Sequence, residues 1–306
     1  MSFLNRRVVL VSGKGGVGRT ALAAALGKYA AQQGRRVLLT EVTHAEEGQS
    51  ALADYFDVDH VQARPREIEP GLHLCHLWAR TGHEQFLTSV LPSRTLIRAA
   101  LRSRAVERFL VAAPSFHEMG VFYHLLSLLT ERDRHGAVKY DYVVIDMPAT
   151  GHALALTGLP DILLRLMPAG PVAQALKKGQ AIFNDAATTC AWIVTLPEQL
   201  PVTESLELVA GFERTHVAVG GLFLNRCLDD PFTSNEIERL TPYVEAHRLF
   251  GALSLKRLKA ATQARARLAS GTQLPIINVP HFDCDTHMAL LDRLVEHLAE
   301  GEHAAV

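Results

Sequence analysis

The chain reads as an α/β protein, a doubly wound, mostly parallel sheet flanked by helices and carrying a helical subdomain. Three features of the sequence say so. Short β-branched runs alternate with longer helical patterns. The runs are continuously apolar instead of alternating in and out, as strands buried on both faces are. The first run ends in a glycine-rich turn that opens directly into a helix, the arrangement that binds phosphate.

Residues 7–12 and 36–41 supply the first two strands. Between them an alanine-rich helix is expected from about Gly18 to Gln33, with Gly34 as its stop. Further apolar runs lie at 142–145, 192–196, 217–224 and 274–279. From 79 to 139 no convincing strand occurs. Leu96, Ile97, Leu101, Val106, Phe109 and Leu110 recur there at helical spacing, with Arg94, Arg98, Arg102, Arg104 and Arg108 between them. This length is expected to be a helical insertion, about 80–139, in one domain spanning 1–306. Its arginines form either a solvated face or a contact surface for a partner. An apolar helical segment is expected over 153–190. Pro160, Asp161, Arg165, Pro168 and Pro171 argue against its crossing a membrane. It serves either core packing or a hydrophobic surface for a client.

Composition excludes several classes. Of 306 residues, 48% are hydrophobic and 21% charged, which rules out disordered, collagen-like and coiled-coil chains. Lys and Arg number 31 against 32 Asp and Glu, so the whole-chain basic footprint of a nucleic-acid binder is missing. The first apolar stretch meets the glycine-rich turn without a small-residue cleavage site, and a cytoplasmic protein is expected. Cys75, Cys190, Cys227 and Cys284 form no C-x-x-C pair and read as buried thiols. His73, Cys75 and His76 look like a metal cluster, yet strand alternation turns His76 away from the other two. The dense stretch from His281 to His287 carries Asp285 and Thr286 where a helix cap is wanted.

The strongest signal is Gly13-Lys14-Gly15-Gly16-Val17-Gly18-Arg19-Thr20 between strand and helix. The spacing is that of G-x-x-x-x-G-K-[ST], with Arg19 in the lysine position. Backbone N–H groups along the loop would converge on the phosphate oxygens of a nucleotide, and the Thr20 hydroxyl would face Mg²⁺. Asp146, at the end of the run 142–145, stands where a carboxylate would hold the same ion, often through water.

Lys14 marks a subclass. The form K-G-G-x-G-[K]-T resembles the deviant Walker A loop of the MinD, nitrogenase iron protein and ArsA class of ATPases. The resemblance implies a dimer in which this lysine reaches the partner's nucleotide phosphates. Asp146-Met147-Pro148-Ala149-Thr150-Gly151-His152 is similar to the D-T-A-P-T-G-H segment of the arsenical-pump and guided-entry ATPases. The likeness continues through residues 195–200 with Glu204, through 224–226, and through 279–282. It implies that Glu198 contacts nucleotide, that Asn225 reads adenine, and that Pro280, His281 and Phe282 pack beside the base.

Two departures bear on chemistry. Arg19 brings a planar fork where the family has a compact ammonium, and the two are not interchangeable around a phosphate. The family's first switch, D-P-A-H, is replaced by Glu41-Val42-Thr43-His44. The family's Asp orients the attacking water; Glu41 reaches one methylene further, and a misplacement of about 1 Å can cost on the order of a hundredfold in rate. Neither the zinc-stapling C-x-x-C pair of guided-entry dimers nor an arsenite-binding cysteine triad is recognisable. The resemblance therefore implies a Mg²⁺-dependent, slowly hydrolysing ATPase with Lys14, Arg19, Glu41 and Asp146 in catalytic roles. It would act on an unidentified client as a homodimer or as a heterodimer with a diverged paralogue, without nucleic acid and without an integral membrane segment. A non-hydrolysing, nucleotide-sensing subunit is the competing reading. A P-loop small-molecule kinase is disfavoured by Lys14 and the two switches.

Overall fold

The computed structural model describes residues 3–42, 50–90, 116–148, 150–166, 168–228, 232–247 and 251–303. Eight strands form a single sheet: β1 Val8–Gly13, β2 Val37–Val42, β3 Arg66–Glu69, β4 Leu72–Leu77, β5 Tyr142–Asp146, β6 Thr189–Thr195, β7 Val219–Cys227 and β8 Ile276–Pro280. Their order is β3-β4-β2-β5-β1-β6-β7-β8. Neighbours are parallel except at the β3/β4 edge, which is antiparallel.

That edge pair is absent from the apolar runs of the sequence. β4 (LHLCHL) carries two histidines, and β3 (REIE) is a short polar edge, so neither shows the continuous hydrophobicity of a central strand.

Alternation along each strand sorts the core into two layers. Val9, Val11, Leu39, Val144 and Val194 face α1 (Arg19–Gln32). The same layer holds Leu291, Leu294 and Leu298 of the C-terminal helix His287–His303. The alanines of α1 bring its backbone close to the sheet; Ala21 to Ala25 are all buried. On the opposite face, Val8, Leu10, Val143, Ile145 and Ile193 pack on helices from the middle of the chain. Sheet and two helical layers make the doubly wound α/β fold that the sequence predicts.

The middle helices are α2 (Ala79–Val90), α3 (Phe116–Thr130), α4 (Thr150–Leu166), α5 (Pro171–Asn184) and α6 (Gln199–Arg214). Gly82 of α2 and Gly120 of α3 let this pair cross closely, because a Cβ at either would strike backbone of the other helix. The arginine-studded stretch 94–108 lies outside the described residues. α3 joins the main core through Met119, Phe122 and Leu125.

The segment expected to be helical over 153–190 is two helices and the start of a strand. The chain breaks at Gly170 (φ 96°) and restarts with Pro171 at the first turn of α5. Asp185 then accepts hydrogen bonds from the Ala187 amide and the Thr188 hydroxyl, ending the helix in a turn. Thr189 and Cys190 accordingly belong to β6. Two further helices, α7 (Ser234–His247) and α8 (Ala252–Gly271), share a small cluster of Ile237, Leu255 and Leu258. The helix His287–His303 is α9. Among the described residues, no helix is long and apolar enough to cross a membrane.

Candidate nucleotide-binding site

The carboxyl ends of the parallel strands open onto one edge of the sheet, and β1 lies between β5 and β6 at its centre. The loop after β1 is shaped by three glycines. Gly13 (φ 153°) lies against the Val194 carbonyl, where no side chain fits. Gly16 (φ 83°) and Gly18 (φ 95°) are left-handed. Among the described residues, nothing stands within 4 Å of where a Cβ of Gly15 or Gly16 would be, so the loop is open at these two positions. Gly18 caps α1 without a side-chain hydrogen bond. The first amides of α1 are therefore available to an anion, with the helix dipole behind them.

Below the loop, the Thr20 hydroxyl donates to Asp146 Oδ2 at 2.7 Å. Asp146 is 7% exposed, and its other oxygen, Oδ1, is buried with no hydrogen-bond partner among the described residues. Burial pushes its pKa up to about 6, against the opposing pull of the Thr20 hydrogen bond and the Arg19 charge. A hydroxyl and an unsatisfied carboxylate oxygen at the mouth of a phosphate loop are hard oxygen donors of the kind Mg²⁺ takes. Thr20 and Asp146 are thus able to hold that ion.

Arg19 turns inward from the same helical turn. Its guanidinium donates to the Met147 carbonyl, one residue beyond Asp146, and burial lowers its pKa. Lys14 leans the other way and pairs with Glu204 of α6 at 2.9 Å. Both side chains remain about a third exposed (38% and 30%), and the second oxygen of Glu204 is buried without a partner.

Glu41, one residue before the end of β2, lies beside Asp146, its register partner on β5. Its partner on the other side is His76 of β4. All three side chains project to the α1 face of the sheet. Glu41 is 4% exposed; its Oε1 lies 3.2 Å from His76 Nδ1, and its Oε2 accepts from the Leu52 amide at 3.4 Å. Burial, reinforced by the charge of Asp146, raises the Glu41 pKa to about 7. Thr43 and His44 lie outside the described residues. His76, which in sequence looks like part of a metal cluster, is instead a neighbour of Glu41. The clue was the period of two, which puts residues 72, 74 and 76 on one face and residues 73 and 75 on the other.

On the far side of the loop, a cavity of about 450 Å³ is lined by Leu196, Pro197, Glu198, Arg226, Leu228, Lys256, Arg257, Ala260 and His281. Its size suits a nucleoside. Glu198 and His281, both expected near the nucleotide from the resemblance, line this cavity. Lys256 and Arg257 of α8 look in sequence like ordinary surface charges, yet they line this cavity. Asn225 sits between cavity and loop: its amide donates to the Val17 carbonyl at 2.8 Å, and its Oδ1 accepts from the Arg226 amide at 2.9 Å. Pro280 ends β8 opposite Cys227, and the next amide, His281, donates to the Cys227 carbonyl at 2.7 Å. The Phe282 ring turns toward α9, 6.2 Å from the His297 ring and 5.8 Å from the Arg293 guanidinium.

A doubly wound sheet with this loop at the end of its central strand defines a P-loop nucleotide-binding protein. Residues 6–171 match the model of the anion-transporting ATPases, and the chain belongs to that family. It is 28% identical over 301 residues to the ATPase BagA of Mycobacterium tuberculosis, covering 92% of this chain and 87% of that protein. It is 26% identical over 265 residues to the arsenical pump-driving ATPase of Escherichia coli, covering 84% of this chain and 40% of that one.

Proposed function

We propose that this protein is a Mg²⁺-dependent ATPase that binds ATP on the 13–20 loop and hydrolyses it slowly as a dimer, switching an unidentified client or partner with its nucleotide state. The observation that carries the reading is the Thr20–Asp146 pair, with its buried, unsatisfied carboxylate oxygen, at the open mouth of the loop. Family membership adds to it.

The loop backbone from Gly13 to Gly18 holds the phosphates, and Arg19 contributes charge from behind them. Thr20 and Asp146 hold Mg²⁺, which when bound neutralises charge on the phosphate oxygens. Glu41 orients the attacking water. Lys14 leaves Glu204 to reach the partner's phosphates, where a cation stabilises the charge that develops during transfer. Glu198, Asn225, Pro280, His281 and Phe282 form the base side. Lys256 and Arg257 add positive charge to the same cavity.

A second reading, a nucleotide-sensing subunit without turnover, is favoured by one observation: Arg19 is bonded to the Met147 carbonyl. Hydrolysis of Mg²⁺-ATP by the protein alone, and mixed with a paralogous ATPase, separates the two. Turnover that disappears in Lys14→Ala supports the enzyme; tight ATP binding without turnover in either preparation supports the sensor.

A further inference from the structure

The buried row His76–Glu41–Asp146 crosses three adjacent strands in register, and two of its members have roles in the proposed reaction. His76 has none so far. It is fully buried (0% exposed), one residue from the end of β4. Burying an imidazole at such a place costs free energy unless the ring does something for its neighbours. Its Nδ1 lies 3.2 Å from Glu41 Oε1. The Trp78 ring, at a centroid distance of 5.9 Å, packs beside it and limits how the imidazole can turn.

A glutamate needs such a neighbour more than an aspartate would. It has one more rotatable bond, and a carboxylate left to choose among rotamers would not hold a water molecule in line with a phosphate. Glu41 has a neighbour at each oxygen: the Leu52 amide donates to Oε2, and His76 Nδ1 stands 3.2 Å from Oε1 on the neighbouring strand, within ion-pair distance. The Leu52 contact comes from outside the sheet, just past residues 43–49. The His76 contact comes from the sheet itself and does not depend on that segment.

We infer that His76 is a positioning residue for the hydrolytic step, holding the Glu41 carboxylate in the one orientation from which it can order the attacking water. The inference rests on the reading that Glu41 orients that water. Being fully buried, His76 would act only through Glu41. Its effect should therefore fall on kcat and leave the Michaelis constant for ATP almost unchanged.

The test is single-turnover and steady-state ATP hydrolysis by the full chain with Mg²⁺, with folding of each variant checked by thermal melting. Glu41→Gln comes first. If it hydrolyses ATP like the unaltered protein, or if the unaltered protein does not hydrolyse at all, the water-orienting reading falls and takes this inference with it. If Glu41→Gln is slow, the His76 variants decide. His76→Leu is expected to lower kcat by about 10- to 100-fold, with KM for ATP within about threefold. His76→Asn, whose amide nitrogen falls at the position of Nδ1, is expected to recover most of the rate. His76→Gln, whose amide matches Nε2, is not. In a Glu41→Gln background, His76→Leu is expected to add no further loss. A folded His76→Leu with unchanged kcat overturns the inference while sparing the Glu41 reading, as does a loss that adds fully to that of Glu41→Gln. If His76→Leu does not fold, the Asn and Gln variants carry the decision, and equal rates in those two overturn it.

Discussion

The Thr20 hydroxyl and the Asp146 carboxylate meet at 2.7 Å beneath an open glycine loop, and the second Asp146 oxygen is buried without a partner. A charge placed this way is costly in isolation, and its raised pKa records the cost. A bound cation would offset it. Asp146→Asn and Thr20→Ala are therefore each expected to weaken Mg²⁺-ATP binding by about tenfold or more, while leaving Mg²⁺-free ATP binding nearly unchanged. Calorimetric titration with Mg²⁺ and with EDTA checks this; equal losses in both conditions would place these residues outside the ion's reach.

The Lys14–Glu204 pair makes a different demand. Both groups are about a third exposed, so the pair contributes at most about 1 kcal/mol to stability. Glu204→Gln is expected to shift the unfolding midpoint little. Its effect should fall on assembly, since a freed Lys14 is available to a partner's phosphates. Light scattering with Mg²⁺ and a non-hydrolysable ATP analogue should show dimer forming at lower protein concentration in Glu204→Gln. An unchanged concentration dependence would mean that the contact does not hold the lysine back.

Burial lifts the Glu41 pKa from 4.5 to about 7, so the nucleotide-free fold prefers the protonated acid. The unfolded chain binds fewer protons between these values, and stability falls as pH rises through that window. It is fully present below about pH 4.5 and lost above about pH 7. Urea unfolding at pH 5 and pH 8 should show this decline in the unaltered protein and a flatter profile in Glu41→Gln. Parallel profiles would assign the decline to other groups.

Asn225 braces the loop through the Val17 carbonyl. Asn225→Ala leaves that buried acceptor unsatisfied, at a cost of about 1–3 kcal/mol. It is expected to weaken binding of inorganic tripolyphosphate as well as of ATP, and, if Asn225 reads adenine as proposed, to narrow the preference for ATP over GTP. Competition binding with the three ligands separates the two contributions. Intact tripolyphosphate affinity would show that the loop does not need this brace.

Much of this architecture is readable from residue order. Val8 to Val11 and Tyr142 to Ile145 are apolar at every position, so they announce strands buried on both faces, and Gly13 to Thr20 can bind phosphate only at the end of such a strand. The β3/β4 edge escapes because His73 and His76 interrupt its hydrophobic run. The same interruption hides His76, whose importance lies in a cross-strand register that no local pattern encodes. Lys256 and Arg257 escape for a related reason: α8 folds back over the cavity from more than 200 residues beyond the loop, and a surface cation on a helix carries no mark of where it will land. Asn225 was legible as a site residue, but its bond to Val17, 208 residues away, was not.

The proposed turnover on this loop, in a dimer and despite Arg19 and Glu41, is decided by single-turnover hydrolysis of Mg²⁺-ATP by the unaltered protein, by Lys14→Ala and by Arg19→Lys. Slow hydrolysis is expected in the unaltered protein, with a fall of about 10³-fold or more in Lys14→Ala with ATP binding retained, and an equal or faster rate in Arg19→Lys. No hydrolysis by the unaltered protein, alone or with a paralogue, together with its appearance in Arg19→Lys, would overturn the proposal and make this chain a sensor of nucleotide.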